Sequence, residues 1–264
     1  MIQIKPIYSE TNTKIIHNLF YDWTGWLTEN AELTSLIVKT LNTCEEKWRN
    51  DGMQLIENKY SDKNIQLLFK VSPNISPFFF TQKIKGRLTY MCRINNIPIK
   101  FSRKVSFRCL GNNTTKIVKN YIKSQVNKSD YFDIRFKDFL SNYTVLNNSV
   151  NLSFPVIVAH GRYWYNVHLV IVVDNRKFPI NKVNMFEIIK KYCFKIAKKK
   201  KCAIAQLAIM PDHIHISIKG NPELSPKDIG FAFINNLSFA LGFNKCWKNE
   251  FYIGSFSEYN LKAI

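Results

Sequence analysis

The chain has 264 residues, 46% of them apolar, and a formal net charge of +19. That apolar content excludes a disordered chain, and the uncompensated charge predicts a polyanionic partner, nucleic acid ahead of an anionic membrane surface. No apolar run reaches the roughly 18 residues of a spanning helix, and Met1 to Glu10 lack the apolar core of a secretion signal, so no membrane insertion and a cytoplasmic location are expected.

In chain order, Lys14 to Trp23 reads as a strand rich in Ile, Phe, Tyr and Trp. Ala31 to Arg49 reads as a helix, with Leu33, Leu36, Ile37, Leu41, Cys44 and Trp48 near helical spacing. Asn64 to Val71 reads as a strand. Ser72 to Pro77 is a turn leading into a helix that accepts Pro77 at its first position. The next helix starts at Thr114-Thr115, a capping pair, and runs through Ile117, Val118, Tyr121, Ile122 and Gln125.

Residues 126 to 152 are weakly patterned, with Phe132 to Leu140 as a short amphipathic helix between turn formers. The earlier order then begins again: strand (Tyr165 to Val173), helix (Asn184 to Lys198), strands (Ala203 to Met210 and His213 to Lys219), and a helix from Ser225-Pro226 to about Leu241. The repetition implies a tandem duplication. The expected domains are 1–130 and 153–264, with 131–152 as a linker. The six cysteines, Cys44, Cys92, Cys109, Cys193, Cys202 and Cys246, form no C-x-x-C pair and read as buried free thiols.

Residues two apart on a strand share a face, so His213 and His215 project together while Ile214 and Ile216 face the core. Two adjacent imidazoles can hold one divalent metal, although two surface histidines on an amphipathic strand would read the same way. The whole string Met210-Pro211-Asp212-His213-Ile214-His215-Ile216, with the helix and strand before it and Trp247 to Tyr259 after it, resembles the HUH single-tyrosine transposases of insertion sequences. That resemblance implies an α+β fold of two tandem ferredoxin-like, RRM-like domains, each an antiparallel sheet with helices packed on one face. It implies Mg2+ or Mn2+ on the histidine pair, single-stranded DNA as substrate, hairpin-bearing DNA included, and nicking and rejoining through a 5′-phosphotyrosine.

The family's nucleophile lies in a Tyr-Ile-x-x-Gln helix. In this chain the matching string is Tyr121-Ile122-Lys123-Ser124-Gln125, in the first half; its competing reading is a core aromatic. The first half has Asn64 and Gln66 where the histidines would stand, and amides are poor metal ligands. One half thus carries the tyrosine and the other the histidines. The expectation is one composite site: Tyr121, His213 and His215 as catalytic residues, and His213, His215 and Gln125 at the metal. This implies an intrachain pseudo-dimer, with a homodimer also compatible. Lys83, Lys85, Arg87, Arg162 and the run Lys198, Lys199, Lys200, Lys201 are the candidate nucleic-acid contacts. His17, His160 and His168 read as structural, and Tyr259 lacks the following Gln. A non-catalytic binding module is the alternative, and no Walker-type loop points to a helicase.

Overall fold

The computed structural model describes residues 6–28, 35–127, 134–158, 160–174, 180–243 and 245–261. The expected helix residues Ala31 to Thr34 lie outside them. The first half runs β1 (Lys14–Asn18), β2 (Phe20–Leu27), α1 (Ser35–Asn50), β3 (Met53–Tyr60), β4 (Asn64–Val71), α2 (Pro77–Ile94), β5 (Phe101–Leu110) and α3 (Thr115–Lys123), closing on a 3-10 turn at Ser124–Asn127. Next come α4 (Ile134–Ser141) and β6 (Thr144–Leu146). The second half is β7 (Val156–Val158), β8 (Gly161–Trp164), β9 (Asn166–Val173), α5 (Val183–Lys199), β10 (Ala203–Ile209), β11 (His213–Lys219), α6 (Pro226–Leu241) and β12 (Trp247–Ser255).

Among the described residues these strands form two six-stranded sheets, ordered β3-β4-β2-β5-β8-β7 and β1-β12-β9-β11-β10-β6. The orders superpose once one is reversed: β2, β3, β4 and β5 correspond to β9, β10, β11 and β12. Each set, with its two helices, is a ferredoxin-like unit, so the α+β reading and the duplication both hold. The halves do not keep to themselves, however. β1 pairs parallel with β12 of the second half, and β8 pairs parallel with β5 of the first.

The expected strand Lys14 to Trp23 is therefore broken at Leu19, where the chain leaves one sheet and enters the other. Leu19 is fully buried at that crossing, as is its counterpart Tyr165 between β8 and β9. The Ser255 hydroxyl secures the corner, accepting from the Phe20 amide at 2.8 Å and donating to the Leu110 carbonyl at 2.5 Å. The stretch expected as a linker also contributes structure: β6 pairs antiparallel with β10.

The local signals explain the elements. Ser76 caps α2 with Pro77 behind it, Thr114 caps α3, and Ser225 with Asp228 forms a reciprocal capping box on α6. Each core lies between a sheet and its two helices. In the first half, Trp48, Phe69, Phe80, Tyr21 and Phe107 pack edge to face; in the second, Ile171, Ile214, Ile216 and Ile218 meet Phe186, Ile189 and Phe233. All six cysteines are free, five of them buried, and burial raises their thiols. No helix among the described residues is long and apolar enough to cross a membrane.

Candidate functional site

Alternation along β11 turns Ile214, Ile216 and Ile218 into the core and His213 and His215 onto the opposite face. The two rings lie 4.8 Å apart between centroids. Each is held through Nδ1. His213 Nδ1 donates to the Asp212 carboxylate at 2.6 Å. His215, only 4% exposed, has its Nδ1 3.1 Å from Nε2 of His168. In both rings Nε2 is thus the nitrogen turned away from the holding contact. Burial pushes His168 down to about 4, so it is a neutral imidazole at physiological pH.

The sequence alone reads His168 as structural. Its signal was present: His168, Val170 and Val172 share one face of β9 while Val167, Leu169 and Ile171 enter the core. Only the sheet order, which sets β9 beside β11, brings that face to the histidine pair.

The tyrosine arrives from the other half. After β5, Gly111 to Thr114 runs alongside Ser257 to Asn260, the segment after β12, and the Thr115 amide donates to the Ser257 carbonyl at 2.6 Å. A side chain at Gly111 would run into the Ser255 carbonyl, so this crossing needs glycine. The crossing lays α3 over β10 and β11, where Gln206 donates to the Lys119 carbonyl at 3.3 Å. Val118 and Ile122 are buried beneath the helix, whereas Tyr121 is 40% exposed and is not a core aromatic. Its ring stands edge-on to His215 at 5.2 Å and lies 6.1 Å from His168. Gln125 is buried, and its Nε2 donates to the Tyr121 carbonyl at 2.8 Å, fixing the helix end that carries the tyrosine.

The expected basic contacts fare unevenly. Lys83 and Arg87 share Asp51, at 3.5 and 2.7 Å. Lys85 donates to the Ser102 carbonyl at 2.7 Å. Arg162 is exposed on the outer face of the first sheet. Lys198 to Lys201 lie at the Lys219 end of the β10–β11 pair, about 20 Å along the strand from His213. They are remote from the histidines.

The register also identifies the counterpart of this site in the first half. Gln66 stands where His215 does and Asp22 where His168 does; Gln66 donates to Asp22 at 3.0 Å. Burial raises the Asp22 carboxyl to about 6, against the pull of Gln66 and Arg108. Arg108 lies over the Trp164 ring at 4.2 Å and near the Tyr259 ring at 5.1 Å. Tyr259 therefore belongs to the first sheet's face and not to the histidines.

Two equivalent ferredoxin-like halves thus meet at this site, one bearing paired imidazoles and the other bringing the Tyr121 helix across the seam. Residues 162–264 match the model of the IS200-like transposases. Among solved structures, one from Deinococcus radiodurans R1, described as a transposase, is similar over 42% of this chain and 92% of its own, at 12% identity and a TM-score of 0.33. A glycine cleavage system transcriptional repressor is similar at 10% identity over 89% of this chain and 95% of its own, with a TM-score of 0.21. A bacterial light-regulated adenylyl cyclase is similar at 10% identity over 84% and 64%, with a TM-score of 0.18. No curated protein matches the chain in sequence.

Proposed function

We propose that the protein nicks and rejoins single-stranded DNA at one composite site, with Tyr121 as nucleophile and His213 and His215 as metal ligands. The observation that carries this reading is the Tyr121 ring 5.2 Å from His215, across the seam between the halves. The Tyr121 oxygen attacks the phosphorus of a phosphodiester. A bond from phosphorus to the phenolic oxygen forms as the bond to the 3′ oxygen breaks, giving a 5′-phosphotyrosine and a 3′-hydroxyl. The phenol loses its proton and the leaving oxygen gains one. The reverse attack by a 3′-hydroxyl rejoins the strand. One phosphoester replaces another, so no nucleotide triphosphate is consumed.

The donor set suits a divalent ion of the magnesium or manganese kind. Nε2 of His213 and of His215 would hold it, with solvent and phosphate oxygens completing its shell. Among the described residues no group of three His, Cys, Asp or Glu side chains is assembled for a metal. A bound ion would polarise the scissile phosphate as a Lewis acid. For His215 to present Nε2, its proton must sit on Nδ1 and be donated to neutral His168, which makes His168 a positioning residue. Asp212 does the same for His213. Gln125, its Nε2 already engaged, would offer Oε1 to the ion.

The test is covalent capture. Protein, Mn2+ and labelled single-stranded DNA from the gene's own flanks are run on a denaturing gel beside Tyr121→Phe and His213→Ala. A shifted band lost in both variants is expected. A band that persists in Tyr121→Phe would overturn the composite site, and binding without any band would favour the non-catalytic module.

A further inference from the structure

We propose that the outer face of the first sheet is a second nucleic-acid site, one that receives an unpaired base and its phosphates from single-stranded DNA. The proposal rests on the reading of the protein as a single-strand processor but uses none of its catalytic residues. A cavity of about 730 Å³ opens on this face, lined by Trp26, Trp164, Lys104, Ser106, Arg162 and Ile157. That volume lies within the roughly 300–1,000 Å³ of small-ligand sites.

The pleat explains the composition of this cavity. On β5, Val105 and Phe107 enter the core, so Lys104, Ser106 and Arg108 face out. The parallel pairing of β8 with β5 sets Arg162 beside Ser106 and Trp164 beside Arg108. Because β8 is the strand exchanged between halves, the cavity exists only where the two halves interlock. Trp26, at the far end of β2, completes the lining with 37% of its surface exposed.

The chemistry selects a base and its phosphates. Trp164 is locked: its Nε1 donates to the Ser153 carbonyl at 2.8 Å, and Arg108 stacks over its ring. A rigid indole and an exposed indole around one cavity provide aromatic faces for a nucleobase, which stacks without regard to sequence. Lys104 and Arg162 form no ion pair among the described residues, so their charge is available to phosphate. Of the acids close to Arg108, Asp22 is already held by Gln66 and Glu258 accepts from the Ser153 hydroxyl. The cavity also shares Val105, His160 and Gly161 with a neighbouring groove lined by Lys85 and Arg103, which in turn shares Gln82 and Lys85 with one reaching Arg93. A strand leaving the cavity along these grooves meets cations throughout.

The experiment is fluorescence anisotropy of the full chain with a fluorescein-labelled twenty-nucleotide oligo-dT, at several salt concentrations. Trp26→Ala is expected to weaken binding about five- to tenfold at fixed salt. The double variant Lys104→Ala, Arg162→Ala is expected to reduce the salt slope by about 1.4, two single-strand phosphate contacts. Trp164→Phe keeps packing and serves as the milder variant, and 5-iododeoxyuridine in the oligonucleotide is expected to photo-crosslink to Trp26 or Trp164. Wild-type affinity and salt slope in these variants, with crosslinks elsewhere, would overturn the second site. Because Tyr121→Phe is read by covalent capture, that outcome leaves the nicking proposal standing. No binding of any single strand by the wild type would overturn both.

Discussion

Replacing His168 with alanine removes the imidazole that meets His215 Nδ1 at 3.1 Å. His215 is 4% exposed, so water cannot freely take the vacated place. A buried donor stripped of its partner costs about 1–3 kcal/mol. That cost falls on the tautomer with the proton on Nδ1, the one that leaves Nε2 for a metal. At about 1.4 kcal/mol per decade, the expected loss of Mn2+ affinity is on the order of 10- to 100-fold, the size usual for partners behind a metal ligand. A water entering the new cavity would move the result toward the low end. His168→Gln places an amide oxygen where Nε2 was and is expected to restore most of the affinity. The assay is titration with Mn2+, following the electron paramagnetic resonance signal of the free ion, with thermal melts as the check on folding. Equal affinity in wild type and His168→Ala, with affinity lost in His215→Ala, would refute the positioning role.

Asp22 gives a pH signature. Its folded carboxyl, raised to about 6 by burial, binds its proton more tightly than the unfolded group at 3.8. The stability it contributes is therefore present below pH 4 and is lost as pH rises through 6, up to about 2–3 kcal/mol. Asp22→Asn keeps an acceptor for Gln66, so its stability should fall less than wild type between pH 4 and 7.5 in denaturant titrations; parallel curves would sink the argument. Gly111→Ala drives a methyl at the Ser255 carbonyl where the halves cross, and is expected to cost at least about 2 kcal/mol and to weaken covalent capture together. A change within about 0.5 kcal/mol would show that the crossing is pliable. Asn64→His with Gln66→His rebuilds the imidazole pair in the first sheet, with Asp22 placed as its carboxylate partner. The Mn2+ stoichiometry should rise from one to two, and an unchanged value would refute the equivalence of the two faces.

Where a signal is local, the sequence carried it. β4 and β11 begin and end where their alternation does, Thr114 and Ser225 cap the helices that follow them, and the histidine pair faces away from its isoleucines. The pairing of Tyr121 with the histidines was legible only because each half lacked what the other held. What stayed hidden is set by distant partners. Nothing in Lys14 to Trp23 marks Leu19 as the residue where the chain changes sheets, because both pieces are good strands. β3 gives little signal because Met53 is its only fully buried residue and its pairing register slips between Leu55 and Glu57. β5 alternates, but Lys104 and Arg108 on its outer face and the exposed Arg103 near its start dilute the strand pattern. The charge at Arg87 reads as available until Asp51 is found 2.7 Å away.

The duplication explains why the two outer faces diverged in chemistry while keeping one geometry. In each, a side chain on the central strand reaches diagonally to one on its neighbour: His168 to His215 at 3.1 Å, Asp22 to Gln66 at 3.0 Å. The third position differs most. Opposite His168 stands Gly254, where the Tyr252 ring folds over the place a side chain would take and lies 6.1 Å from His168; opposite Asp22 stands Arg108. Carboxylate, amide and guanidinium neutralise one another without a further ligand. The histidine face has no such set of opposite charges, and it is over that face that the crossing of the halves lays Tyr121. The exchange of β1 and β8 holds the crossing in place, so the same interlock that aims the tyrosine at the histidines also builds the aromatic, basic cavity on the other face.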